Sequence, residues 1–131
     1  MINLRFKTYW LVCGIIIIFC CSGLMLLPSE WFFEKNNIAS IPFLDKMVHV
    51  TLFFLLVIWF SGQLRSILTI FFFISLYGLL IEGIQHLISY RDSDWMDIFA
   101  NEVGVLLGII IATSITSGWS KEFENKFIIK R

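Results

Sequence analysis

The chain has 131 residues, 58% of them hydrophobic, with a mean hydropathy of +0.84, which is more apolar than an ordinary soluble domain. Its ten basic and ten acidic residues cancel. There is no basic stripe, no RNA or DNA motif and no heptad run, so no nucleic-acid partner is expected. The few charges gather in short segments between long apolar runs, the layout of a multi-pass helical membrane protein.

Met1–Thr8 is a short polar start with Arg5 and Lys7, and Tyr9–Leu27 is almost unbroken apolar sequence. At ~1.5 Å per residue that run reaches about 28 Å, close to the ~30 Å hydrocarbon core. It is too long for the core of a signal peptide, and CCSG is a poor cleavage site, so an uncleaved first helix is expected. Cys13, Cys20 and Cys21 all fall inside it. No CxxC or paired CxxH spacing exists, so they read as small buried hydrophobes.

Pro28 stops this helix. Ser29–Leu44 mixes Trp31, Phe32 and Phe33 with Glu30, Glu34 and Lys35, a composition suited to a connector lying in the headgroup layer. Asp45–Gly62 reads as the second helix. Its apolar part, Met47–Phe60, is too short to span alone, so it spans only if Asp45, Lys46 and His49 occupy a polar cleft; a re-entrant segment is the alternative. Gln63–Ser66 makes a turn, Ile67–Ile88 the third helix and Trp95–Ile115 the fourth. Lys121–Arg131 is a mixed-charge tail. The expected fold is all-α: one four-helix transmembrane domain.

Lys and Arg set the expected orientation. Arg5, Lys7, Arg65, Lys121, Lys126, Lys130 and Arg131 share one side, and Lys35, Lys46 and Arg91 the other. The richer side faces the cytoplasm, so both termini are placed there, in the cell's plasma or inner membrane.

That orientation puts most ionisable groups at the outer helix ends. Asp45 and His49 are four residues apart. Glu82, Gln85, His86 and Ser89 recur at helical spacing, as do Asp97, Asn101, Gly104 and Gly108. Residues three and four apart share a helix face. Lipid offers such groups no partner, so each stripe should turn toward the bundle interior or a wet cleft. Gly104 and Gly108, as GxxxG, would let the fourth helix approach a neighbour closely, including a second copy of the chain.

These residues carry a resemblance. Asp45-Lys46-x-x-His49 resembles the opening motif of VanZ-like membrane proteins. Glu82-x-x-Gln85 is similar to their second motif, and Arg91 followed by Asp97-x-x-x-Asn101-x-x-Gly104 to their third. The match runs roughly from Asp45 to Gly108. Members are small integral membrane proteins, named for one linked to resistance to the glycopeptide teicoplanin. The resemblance implies a cell-envelope role at the outer membrane face and supplies no reaction. His86, Asp92, Asp94 and Glu102 are not motif positions.

The expected binding set, in an outer polar pocket, is therefore Asp45, Lys46, His49, Glu82, Gln85, Arg91, Asp97 and Asn101. Arg91 and Lys46 would pair with the phosphate of a membrane lipid or lipid-linked envelope component, while Gln85, Asn101 and His49 orient it. The alternative is an intramembrane enzyme in which Asp45, His49, Glu82 and Asp97 supply an acid, a base and an orienting carboxylate. His49, Glu82, His86 and Asp97 could ligate a metal chemically, but HExxH-type spacing is absent, and no metal or cofactor is expected. A transporter is disfavoured, since four helices are few and no inverted repeat is visible. Each position also has a plain structural reading: Glu82 as a clamp to Arg91 or Lys46, Gln85 and Asn101 as interhelical glue, and Asp97 as a carboxylate at the positive end of a helix.

Overall fold

A computed structural model describes residues 2–27, 44–89, 94–116 and 118–128. Four long helices account for most of them: α1 (Lys7–Leu26), α2 (Leu44–Ser61), α3 (Ile67–Leu87) and α4 (Trp95–Ile111), followed by a short α5 (Trp119–Phe123). Each of the four, the last taken together with the turn that follows it to Ser114, is long and apolar enough to cross a membrane. The expected spans are met within a residue or two at most ends. The fourth leaves α geometry at Ile111 and continues as a π-helical turn, Ala112–Thr116. The expected headgroup-layer connector lies outside the described residues, apart from Leu44.

Helix ends follow local chemistry. Leu27 is extended, at φ −71° and ψ 150°, because a residue before proline is pushed out of the α region. Ser66 caps α3, its hydroxyl accepting from the Thr69 N–H at 3.3 Å. Asp94 caps α4, accepting from the Met96 N–H at 3.0 Å. Gly118, at φ +78°, turns the chain into α5.

α2 and α4 pack most extensively against each other. Both run away from the polar end, in a register offset by about 51 residues. Lys46 meets Asp97, and His49 meets Asn101. A methyl on Gly104 would run into the Val50 carbonyl and the Phe53 Cβ, and one on Gly108 would lie 2.7 Å from the Val57 Cβ. The glycines thus let one backbone approach the other. Their face is packed against α2 of the same chain.

α3 lies over this seam. Phe53 is fully buried, and a methyl on Gly78 of α3 would come within 2.9 Å of its ring. α1 is tied on by polar contacts. Ser22 shares a 2.9 Å hydrogen bond with Tyr77, and the Gln85 amide donates to the Met25 carbonyl at 2.8 Å. That carbonyl is in the last turn of α1, where no backbone partner is available. Cys21 is buried, but Cys13 and Cys20 face outward. Two of the three cysteines expected inside are therefore on the apolar surface, a consequence of an α1 that is hydrophobic all round. Phe71, Phe72 and Phe73 are exposed on α3, as a lipid-facing surface requires.

The mixed-charge tail is anchored through one of its acids. Glu124 is 2% exposed. It accepts from the backbone N–H of Arg5 and Phe6, at 2.8 and 3.0 Å, and from the Trp10 indole at 2.8 Å. Trp10 in turn packs with Trp59 and Trp119, the three rings meeting edge-on or tilted with centroid separations of 5.3–5.7 Å.

Candidate functional site

The close approach of α2 and α4 brings the polar residues at their first turns together. Lys46 Nζ bridges two carboxylates, Asp97 Oδ1 at 2.7 Å and Asp94 Oδ2 at 2.9 Å. One turn deeper, His49 Nδ1 lies 2.9 Å from Asn101 Oδ1. From α3, Glu82 Oε1 accepts from Asn101 Nδ2 at 3.3 Å and lies 3.6 Å from His49 Nδ1. Three helices thus contribute to two adjacent polar groups, the Lys46 ion pairs and, one turn deeper, the His49–Asn101–Glu82 network. His49, Glu82, Asp97 and Asn101 are each at most 5% exposed.

Donor and acceptor chemistry orients the network. A carboxylate only accepts, so Asn101 presents its NH₂ to Glu82 and its carbonyl oxygen to His49. That oxygen also only accepts, so the proton is on His49 Nδ1. In the neutral ring the lone pair is then on Nε2. Nε2 is buried and has no hydrogen-bond partner. An unsatisfied buried polar atom costs on the order of 1–3 kcal/mol, so packing alone gives no reason to keep it. At the rim, Asp94 is held below its ordinary carboxyl range, first by the Met96 N–H it caps and then by the Lys46 ammonium.

A cleft of about 380 Å³ lies between α3 and α4, lined by Leu79, Gly83, Trp95 and Ile98 on its apolar side and by Glu82, His86 and Asp94 on its polar side. Glu82 belongs both to this cleft and to the network.

The eight residues expected to share a pocket divide unevenly. Lys46 pairs with Asp97, and His49, Glu82 and Asn101 form the network one turn deeper. Asp45, one turn before His49, lies with His49 and Asp97 in one group of ligand-type atoms. Gln85 does not join them. It is buried on the same side of α3, but α1 lies within its reach and it turns to the Met25 carbonyl. Arg91 lies outside the described residues. The pairing of Lys46 with Glu82 is also replaced: Lys46 goes to Asp94 and Asp97, which are level with it, while Glu82 is one turn deeper.

Sequence reasoning passed over Asp94. Its position directly before an apolar helical run is a recognisable cap signal, and the cap belongs to Asp94 rather than Asp97. Glu102, set among the acids of this end, accepts from Ser75 of α3 at 2.9 Å. The anchoring role of Glu124 had no local sequence signal, because its donors are more than 110 positions away.

Helices able to span a membrane, joined by polar side chains at one end, define a small multi-pass membrane protein with an intramembrane polar cluster. The family model described as VanZ/LLP1 matches residues 15–116. That covers well over half of the chain, and the chain belongs to this family. No curated protein and no solved structure matches it.

Proposed function

We propose that this VanZ-like protein binds the head of a membrane lipid or lipid-linked envelope component at its polar end, on the outer face. The observation that supports this most is the pairing of an amphiphilic cleft with the network beside it. An acyl or prenyl chain fits against Leu79, Trp95 and Ile98, and the head reaches Glu82, His86 and Asp94. Lys46 is already shared by two carboxylates. Arg91 and Lys46 would pair with the phosphate of that head, Lys46 as Asp94 yields it. The acidic groups suit hydroxyls or an amine on the same head. The outer placement rests on the Lys and Arg imbalance. Changing which envelope lipids are presented outside would link the protein to glycopeptide resistance of the teicoplanin type.

Lipid mass spectrometry on protein purified in mild detergent tests the reading. Wild type retains a defined anionic or lipid-linked species, and Arg91→Ala and Lys46→Ala lose it. Equal retention by both variants rejects it. A second reading, an enzyme acting on that head, is favoured by the unpartnered His49 Nε2, the kind of group a general base requires. Its signature is turnover of labelled envelope lipids that His49→Gln abolishes while lipid retention persists.

A further inference from the structure

We infer that Asp45, His49 and Asp97 form a binding site for a divalent metal ion at the head of the α2–α4 seam. One ring nitrogen of His49 and one carboxylate oxygen from each aspartate lie within 4.8 Å of one another. Small side-chain rotations bring such atoms to the ~2.0–2.2 Å of metal–ligand bonds. Asp45 and His49 are four residues apart and so share a face of α2, and Asp97 comes from α4 at the same level.

The spacing of acidic groups alone would carry little. The independent observation is the buried imidazole. His49 is 1% exposed, its Nδ1 is held by Asn101, and its Nε2 has no hydrogen-bond partner. The tautomer required by the Asn101 contact is the one that offers Nε2 as a ligand. A metal-bound histidine commonly donates its other ring N–H to an oxygen acceptor that is itself hydrogen-bonded. Here that acceptor is Asn101 Oδ1, and Asn101 is in turn held by Glu82. The support normally found behind a metal-binding histidine is therefore in place.

One imidazole and two carboxylates, without a thiolate, suit Zn²⁺ or Mn²⁺ rather than a soft ion. Three protein ligands leave a coordination position open. Lys46 touches Asp97 Oδ1 but also has Asp94 at 2.9 Å. It can withdraw toward Asp94 as the ion takes its share of Asp97. Within the lipid reading the open position suits a phosphate oxygen, but the site does not depend on that reading. It also revises the ligands considered from sequence. Asp45 takes the place of Glu82, which stands behind Asn101, and of His86, which is exposed on α3.

The test uses full-length protein in detergent, freed of any affinity tag, stripped with chelator and titrated with Zn²⁺ by calorimetry. Co²⁺ absorption reports the coordination. One ion per chain is expected. Asp45→Asn and His49→Gln should weaken Zn²⁺ by roughly 100-fold or more, and Glu82→Gln by about 10–100-fold through the histidine it supports. His86→Asn should bind as wild type does. Should His49→Gln not fold, Asp45→Asn at the half-buried helix start carries the result. The proposal is overturned if folded wild type binds no stoichiometric Zn²⁺, or if Asp45→Asn binds it unchanged. The titration contains no added lipid, so its failure leaves the lipid reading to its own experiment.

Discussion

The two ends of the bundle bury carboxylates in opposite ways. At the end where α1 begins, Glu124 takes three N–H donors, two from the backbone and one from Trp10. Burial pushes its pKa up, but the N–H groups of Arg5 and Phe6, then the Trp10 indole, outweigh it, so the carboxyl is held below its ordinary value of 4.5. At the other end Glu82, Asn101 and His49 are linked, yet His49 Nε2 within that group has no partner; near Glu124 the atoms without partners, Trp59 Nε1 and Ser120 Oγ, are not on the carboxylate or its three donors. A saturated buried charge ties elements together. A network with an open lone pair retains capacity for something else, at a cost in stability that folding alone does not explain.

Gly104→Leu should have the largest effect, because the new side chain must displace the Val50 carbonyl and Phe53. It forces α2 and α4 apart and costs about 3 kcal/mol or more. Gel filtration and thermal melts in detergent should show loss of the folded species, and lipid retention should go with it. A normal melt with the network's function intact would mean the seam does not assemble the polar end.

Glu124→Gln should come next. It leaves one or more buried N–H donors poorly paired and lowers stability by about 1–3 kcal/mol. Lipid retention and Zn²⁺ binding, at the far end, should be unchanged; their loss would break the contrast between the two ends. The pH dependence has a definite sign. Because the folded-state pKa is lowered, the contribution of Glu124 is present above about 4.5 and lost as pH falls through the lower folded value. Wild-type melting temperatures should therefore drop on that acid limb, and Glu124→Gln should lack this part of the drop.

His49→Gln should have the smallest effect on stability, within ~1 kcal/mol, since a glutamine NH₂ can still donate to Asn101. Its melting curve should match wild type while Zn²⁺ binding collapses. A large loss of stability with unchanged binding would make His49 another structural tie, like Glu124.

Much of this organisation was legible in the chain. Four apolar runs of membrane length and the charges at their ends are one-dimensional features, and the helical period alone places Asp45 with His49 and Asp97 with Asn101. Asp94 was legible too, as a cap, although it was set aside. Gln85 marks the boundary. Its spacing from Glu82 puts both on the inward side of α3, but only the position of α1 decides that it turns to Met25.

The sequence by itself determined the spans, the stripe on each helix and the family, because hydrophobicity and the 3.6-residue period act locally. Only the tertiary structure decided the α2–α4 register that sets Lys46 beside Asp97 and His49 beside Asn101, the use of Gly104 and Gly108 inside one chain, and the capture of α1 by Glu124. Those outcomes depend on which surfaces meet across tens of residues, and the residues that meet there carry no sign of one another in their own neighbourhoods.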